Sequence, residues 1–169
     1  MELIDVYDAD FKKTGKTVPR GTALSEDEYV LCVHVLIQDM EGRFLVQKRS
    51  EKKRNLPGHW DVTAGAADAG EDGCTAAIRE AREEVGLELP PEKMQLIFRD
   101  CIHGSFYEAW HVQLPFTLED CTMQESEVQE LRLAQPEELL RILEDFPYRS
   151  EEYKRKIESF LGVEEPFSV

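Results

Sequence analysis

Polar and apolar positions divide the chain into short segments of two periodicities. From Tyr29 to Ile37 the run YVLCVHVLI is almost wholly apolar and rich in β-branched residues. After the turn Asp39-Met40-Glu41-Gly42, the segment Arg43-Phe44-Leu45-Val46-Gln47-Lys48 repeats that character. Two such runs across a short turn predict a hairpin in a central sheet. Further strands are predicted at 61–64, 94–101, 106–113 and 127–133, and residues 3–7 and 16–20 predict a short hairpin or edge arm. The helical signal is strongest at 72–85, where Cys74, Ala77, Ile78, Ala81 and Val85 recur at i, i+3, i+4, i+7 and i+11. Gly86 follows as a left-handed cap, with Leu87 beyond it to pack back. Two closing helices are expected. Pro136 suits a first turn ahead of Leu139, Leu140, Leu143 and Phe146, and Tyr153, Ile157, Phe160 and Leu161 share one face of the last helix. Interleaved strands and helices make the fold α/β, with helices packed around a mixed sheet.

A chain of 169 residues is expected to form one domain, with an arm over 1–28, a core over 29–145 and a closing helix and tail over 146–169. Its 20 Lys+Arg against 35 Asp+Glu give a formal charge of -15, which speaks against a nucleic-acid polymer or an anionic membrane as partner. Any phosphate handled here needs a local device. The densest basic stretch is the predicted loop Ser50-Glu51-Lys52-Lys53-Arg54-Asn55-Leu56-Pro57-Gly58. No apolar run approaches the roughly 20 residues of a membrane span, and the acidic start MELIDVYDADFKK lacks the order of a secretory signal, so the cytoplasm is the expected location. Cys32, Cys74, Cys101 and Cys121 are widely spaced, without CxxC or nearby His, and are read as buried or inert thiols.

On the helix 72–85, Glu80, Glu83 and Glu84 stand at i, i+3 and i+4 and gather on one face, expected almost opposite the apolar stripe. Like charges at this spacing cost a few tenths of a kcal/mol per pair, and the macrodipole disfavours anions in the last turns. A solvated acidic face beside Arg79 and Arg82 is one explanation. A divalent cation is the other, because hard Mg²⁺ takes carboxylate oxygens and completes its shell with water and phosphate.

What precedes the helix weighs between them. Gly65, Glu71, Arg79, Glu80, Glu83, Glu84 and Gly86 fall in the pattern G-x5-E-x7-R-E-U-x-E-E-x-G-U, with Ala81 and Leu87 at the apolar places. Here the stretch GAADAGEDGCTAAIREAREEVGL resembles, without a gap, the signature box of the Nudix hydrolase family. Such a pattern coincides by chance about once in 10⁸ starting points. The resemblance extends over roughly residues 29–145, through Leu56-Pro57-Gly58-His59-Trp60 upstream and Glu127-Val128 and Pro136-Glu137-Glu138-Leu139 downstream.

The resemblance implies an α/β/α sandwich with a mixed sheet, the box helix on one face and further C-terminal helices. It implies hydrolysis of a diphosphate linkage, in a nucleoside diphosphate linked to X or a similar small organic diphosphate, with Mg²⁺ or alternatively Mn²⁺ as cofactor. Glu80, Glu83 and Glu84 become metal-facing and catalytic carboxylates, with a carbonyl near Gly65. Glu71, Arg79, Gly65 and Gly86 become structural. Which glutamate acts as base stays open. A further acid outside the box is to be sought among Glu108, Glu125 and Glu127, with Glu108 favoured because a carboxylate beside Tyr107, Ala109 and Trp110 in a strand needs a partner. Arg49, Lys53 and Arg54, with Lys48 and Lys52 nearby, are candidate phosphate contacts. His34, His103 and His111 are read as core or hydrogen-bonded residues.

Two departures matter. Thr63-Ala64-Gly65 replaces the Pro-Gly-Gly turn of many nucleotide-directed members and is closer to the branch of isopentenyl diphosphate isomerase, on whose catalytic glutamate Glu108 falls. The catalytic cysteine and a metal-binding histidine of that isomerase correspond to Ala64 and Ala66, so one of its acids is missing. Isomerase chemistry and a non-catalytic nucleotide-binding module remain the alternatives to hydrolysis. A homodimer through the N-terminal arm is a further expectation.

Overall fold

The structure, a computed structural model, describes residues 1–145, 147 and 149–163. Phe146, expected on the first closing helix, and the tail from 164 lie outside the described residues. Strands β1 (Leu3–Tyr7) and β2 (Lys13–Pro19) form the antiparallel arm. The central sheet holds β3 (Val30–Gln38), β4 (Phe44–Arg49), β5 (Trp60–Asp61), β6 (Thr63–Ala66), β7 (Gln95–Ile102), β8 (Ser105–Gln113) and β9 (Val128–Ala134). Helices α1 (Gly73–Val85), α2 (Pro136–Glu144) and α3 (Glu151–Leu161) cover it.

The apolar run of β3 is continuous because both faces of that strand are buried. Val33, Val35 and Ile37 pack with Ala76, Ala77, Ala81 and Val85 of α1, while Leu36 packs with Leu139, Leu143, Tyr153 and Ile157 of α2 and α3. The result is the expected three-layer sandwich. Strand β3 runs parallel to β8 along its whole length, and α1 lies in the long connection that a parallel pair requires.

The expected hairpin is a single pair, Gln38 with Phe44. Beyond it the strands diverge: β6 takes the edge of β3 from Cys32 to Val35, and β4 turns away to pair with β9 and β5. The sheet therefore opens between β6 and β4. Residues 61–64, expected as one strand, are split at buried Val62 between the two sides of this opening. The arm strand β2 is longer than its pattern suggested, because only Val18 of its seven residues is buried and alternation is hidden.

Helix α1 starts at the Asp72 carboxylate, which accepts from Thr75 N at 2.8 Å, and ends at Gly86 with φ 71°. Both caps use the residues such positions favour. At its first residue there is no room for a side chain, since a methyl group on Gly73 would lie 1.7 Å from a Glu108 carboxylate oxygen. Gly73→Ala is therefore expected to cost about 1–3 kcal/mol, read by urea denaturation.

Candidate functional site

The face that α1 buries is rotated from the stripe expected for it. Cys74 and Ile78 are only half-buried, whereas Glu80 and Glu84 are 6% and 5% exposed. The two carboxylates therefore point inward at the opening of the sheet, not into bulk solvent, and only Glu83 stays half-exposed. This corrects the expectation of an acidic face opposite the apolar one. Three alanines at the contact, Ala76, Ala77 and Ala81, let the helix approach closely enough for that. Gly65 completes the approach: a methyl group there would stand 2.0 Å from the Glu80 carboxyl carbon.

Glu84 Oε2 accepts from Gln47 Nε2 at 2.8 Å and from Ala64 N at 3.3 Å. Both donors are neutral. Burial pushes the Glu84 carboxyl up to about 8, against the lowering by Gln47, and burial also raises Glu80 despite Arg79 beside it. Arg79 holds the rest of the box together. Its guanidinium bonds both oxygens of Glu71 at 2.8 and 2.9 Å, Glu80 at 2.9 Å, Glu83 at 3.2 Å and the Ala66 carbonyl at 2.9 Å. The bidentate bond to Glu71 and the neighbouring carboxylates raise its pKa further. Glu71 in turn accepts from Asp68 N at 2.9 Å, which shapes the loop entering α1.

Glu80, Glu83, Glu84 and Arg79 line a cavity of about 540 Å³, and Arg49, Lys53 and Glu127 stand on its wall. Arg49 clamps the Asn55 carbonyl through Nε and a terminal nitrogen at 3.1 and 2.8 Å, and Lys53 pairs with Glu127. Of the other sequence candidates, Arg54, Lys52 and Glu125 are exposed and do not line the cavity, and Lys48 faces a different one.

Glu108 does not join the box either. It is 4% exposed, bonds Arg99 at 2.6 Å and Trp110 Nε1 at 3.0 Å, and faces a separate cavity at the start of α1. Its partners are Arg99 and Trp110, and it lies against Gly73, the first residue of α1. Ala64 and Ala66 carry no acid, and Glu108, on which the isomerase's catalytic glutamate falls, faces a cavity other than theirs. His34 and His111 are bonded to Tyr153 and Gln38, as read. Cys32 and Cys121 are pushed up to about 11 by burial, while Cys101, expected among the buried or inert thiols, is exposed.

Sequence reasoning missed Gln47 and Arg20. Gln47, 3% exposed in an apolar strand, had a signal, since a buried amide needs a partner. Arg20 had none, because its place on the cavity wall comes from the packing of the arm.

A divalent cation fits this donor set. All the donors are hard oxygens, Glu84 is buried beside Glu80 with hydrogen bonds from neutral groups only, and its raised proton affinity is what a cation would relieve. Among the described residues no three such side chains already converge on one point, since Arg79 stands between Glu80 and Glu83. Also among the described residues, no helix is long and apolar enough to cross a membrane.

Comparison with known proteins shows the family and the fold. The family model for the NUDIX domain matches residues 28–156. An uncharacterized Nudix hydrolase of Listeria monocytogenes is 35% identical over 140 residues, covering 82% of this chain and 83% of its own. Nudix hydrolase 3 of Arabidopsis thaliana is 33% identical over 156 residues, 84% of this chain but 20% of that longer protein. A crystal structure from Deinococcus radiodurans superposes with TM-score 0.72 at 20% identity, over 94% of this chain and 98% of that one. The NUDIX domain of Shewanella oneidensis NrtR, solved with ADP ribose, superposes with TM-score 0.61 at 13% identity, over 85% and 93%. Both likenesses concern the fold.

Proposed function

The chain belongs to the Nudix hydrolase family, and from that premise we propose that it hydrolyses the diphosphate linkage of a small organic diphosphate, a nucleoside diphosphate linked to X or a similar compound, with Mg²⁺ or Mn²⁺. Acid-anhydride hydrolysis is the family's chemistry; the substrate class, the metal and the residue roles are our reading. The observation that carries it is Glu84, a carboxylate buried beside Glu80 and raised to about 8 with only neutral groups bonded to it. A buried carboxylate so placed costs stability unless a cation joins it.

Glu80, Glu83 and Glu84, with the backbone beside Gly65, would hold the metal. When bound, the ion neutralises charge on the bridging phosphates and stabilises the departing one. Arg79 keeps the Glu80 and Glu83 carboxylates on the cavity side of the helix through Glu71. Arg49 and Lys53 face the same cavity and would take phosphate oxygens, Arg49 from a guanidinium already oriented by Asn55. Of the outside acids considered, Glu127 faces the cavity, so we assign it as the additional carboxylate available to accept a proton from the attacking water. Its pair with Lys53 orients it.

Cleavage of a panel of nucleoside diphosphate compounds, ADP-ribose among them, into two phosphomonoesters, read as phosphate freed by added alkaline phosphatase, is expected with Mg²⁺ and absent with chelator. Lack of turnover on every compound overturns the reading. Glu83→Gln is expected to lower the rate about tenfold or more with the melting curve unchanged, because its side chain is 51% exposed and supports no packing. Near-normal turnover in that variant removes Glu83 from the mechanism.

A further inference from the structure

The family match begins at residue 28, yet the arm before it supplies part of the cavity wall. Its attachment is specific. Leu3 O accepts from Ala69 N at 2.8 Å, and Asp5 Oδ2 accepts from Gly70 N at 2.8 Å. Lys13 Nζ donates to the Glu71 carbonyl at 2.9 Å and pairs with Asp5 at 2.7 Å. The arm is thereby tied to the loop that carries Glu71, the residue that orients Arg79.

At the end of β2, Arg20 comes back beside Glu2, with Arg20 N donating to Glu2 O at 3.0 Å. Its guanidinium bonds the Glu2 carboxylate at 2.7 Å, and its other terminal nitrogen lies 3.9 Å from Glu80 Oε1. The charge of Arg20 acts on Glu80, and that of Lys53 acts on Glu84, one turn further along α1. Cations therefore flank the inward carboxylates at both ends.

The cations on the wall are not equally available to an incoming anion. Every nitrogen of the Arg79 guanidinium is committed to the box, whereas Arg49 bonds the neutral Asn55 carbonyl and Lys53, among the described residues, pairs with Glu127 alone. Arg20 is held by a side chain that is itself 61% exposed. An ion pair that open contributes little to stability and exchanges readily, whereas a guanidinium gains from bidentate contact with a phosphate.

We propose that Arg20 is a substrate contact: resting on the diphosphate reading above, its guanidinium leaves Glu2 and takes a phosphate oxygen at the Glu80 end of the carboxylate row, opposite Lys53. The arm is then part of the binding site and sets specificity for the diphosphate group. No covalent step is involved.

The test uses the full chain and titration calorimetry with methylenediphosphonate, a diphosphate that is not hydrolysed, in the presence of Mg²⁺. Arg20→Ala is expected to weaken binding about tenfold or more, with Arg20→Lys intermediate because it keeps charge without the fork. Glu2→Ala, which removes the competing carboxylate, is expected to tighten binding about twofold. Melting curves of the variants should match the parent, since these groups are exposed. In turnover, Arg20→Ala should raise KM with kcat little changed, the pattern of a contact made equally in the ground and transition states. Binding by Arg20→Ala equal to the parent overturns the proposal, and so does a parent that fails to bind the probe. Equal binding in a chain that still hydrolyses its substrate leaves the hydrolase reading standing. An Arg20 effect in a chain that hydrolyses nothing does the reverse.

Discussion

Glu84→Gln is expected to lower diphosphate hydrolysis by about 10²–10³-fold while making the metal-free protein more stable. The two effects have one cause. In the absence of metal, burial holds the Glu84 carboxyl at about 8, against an ordinary value of 4.5. Between those values the folded chain keeps a proton that the unfolded chain has released. Stability from this group is therefore greatest below the ordinary value and is lost as pH rises towards 8. The amide does not ionise, and its oxygen can still accept from Gln47 and Ala64. In chelator at pH 8 the variant should melt about 2–4 °C or more above the parent, and the difference should vanish near pH 4.5. Added Mg²⁺ should raise the parent's melting temperature and leave the variant's unchanged. Scanning calorimetry with and without the metal reads all of this. A variant that melts below its parent in chelator at pH 8, or turns over at the parental rate, refutes the assignment.

The second large effect concerns stability. Asp61 and Arg149 form an ion pair at 2.6 Å with side chains 3% and 2% exposed, between β5 and the segment leading into α3. Asp61 Oδ1 also accepts from Val62 N at 2.7 Å, at the break where β5 gives way to β6. Asp61→Ala leaves the Arg149 charge buried without the carboxylate it faces, and is expected to cost about 3–5 kcal/mol. For a chain of this size that is roughly a 10 °C loss in melting temperature. Replacing both, Asp61→Leu with Arg149→Met, should recover most of the loss, because the penalty arises from keeping a desolvated charge without its carboxylate more than from a lost attraction. Urea denaturation of the single and double variants measures it. A single variant within about 1 kcal/mol of the parent would show that the pair does not hold this end of the molecule.

Legibility in the sequence followed what each signal depends on. Helix α1 could be read to its C-terminal end because periodicity and a terminal Gly are local features, whereas Asp72, read as its first residue, is its N-cap. The box could be read because its residues lie within one loop and one helix. The β3–β4 pairing could not, since adjacent apolar runs announce strands but not which edges meet. Glu108 shows the same limit in the site. Its strand position demanded a partner, and it has two, but they are Arg99 and Trp110 beside the start of α1, not groups of the acidic cavity.

From the order of residues alone came the α/β class, the Gly86 cap of α1, and three carboxylates crowded where helix energetics disfavour them. Tertiary packing alone turned Glu80 and Glu84 inward, set Glu127 and Lys53 across from them, and brought Arg20 to the rim. The reason is physical. Spacing along a helix fixes which side chains are neighbours on it, whereas burial, and with it the free energy of a charge, depends on what the rest of the chain packs against that face.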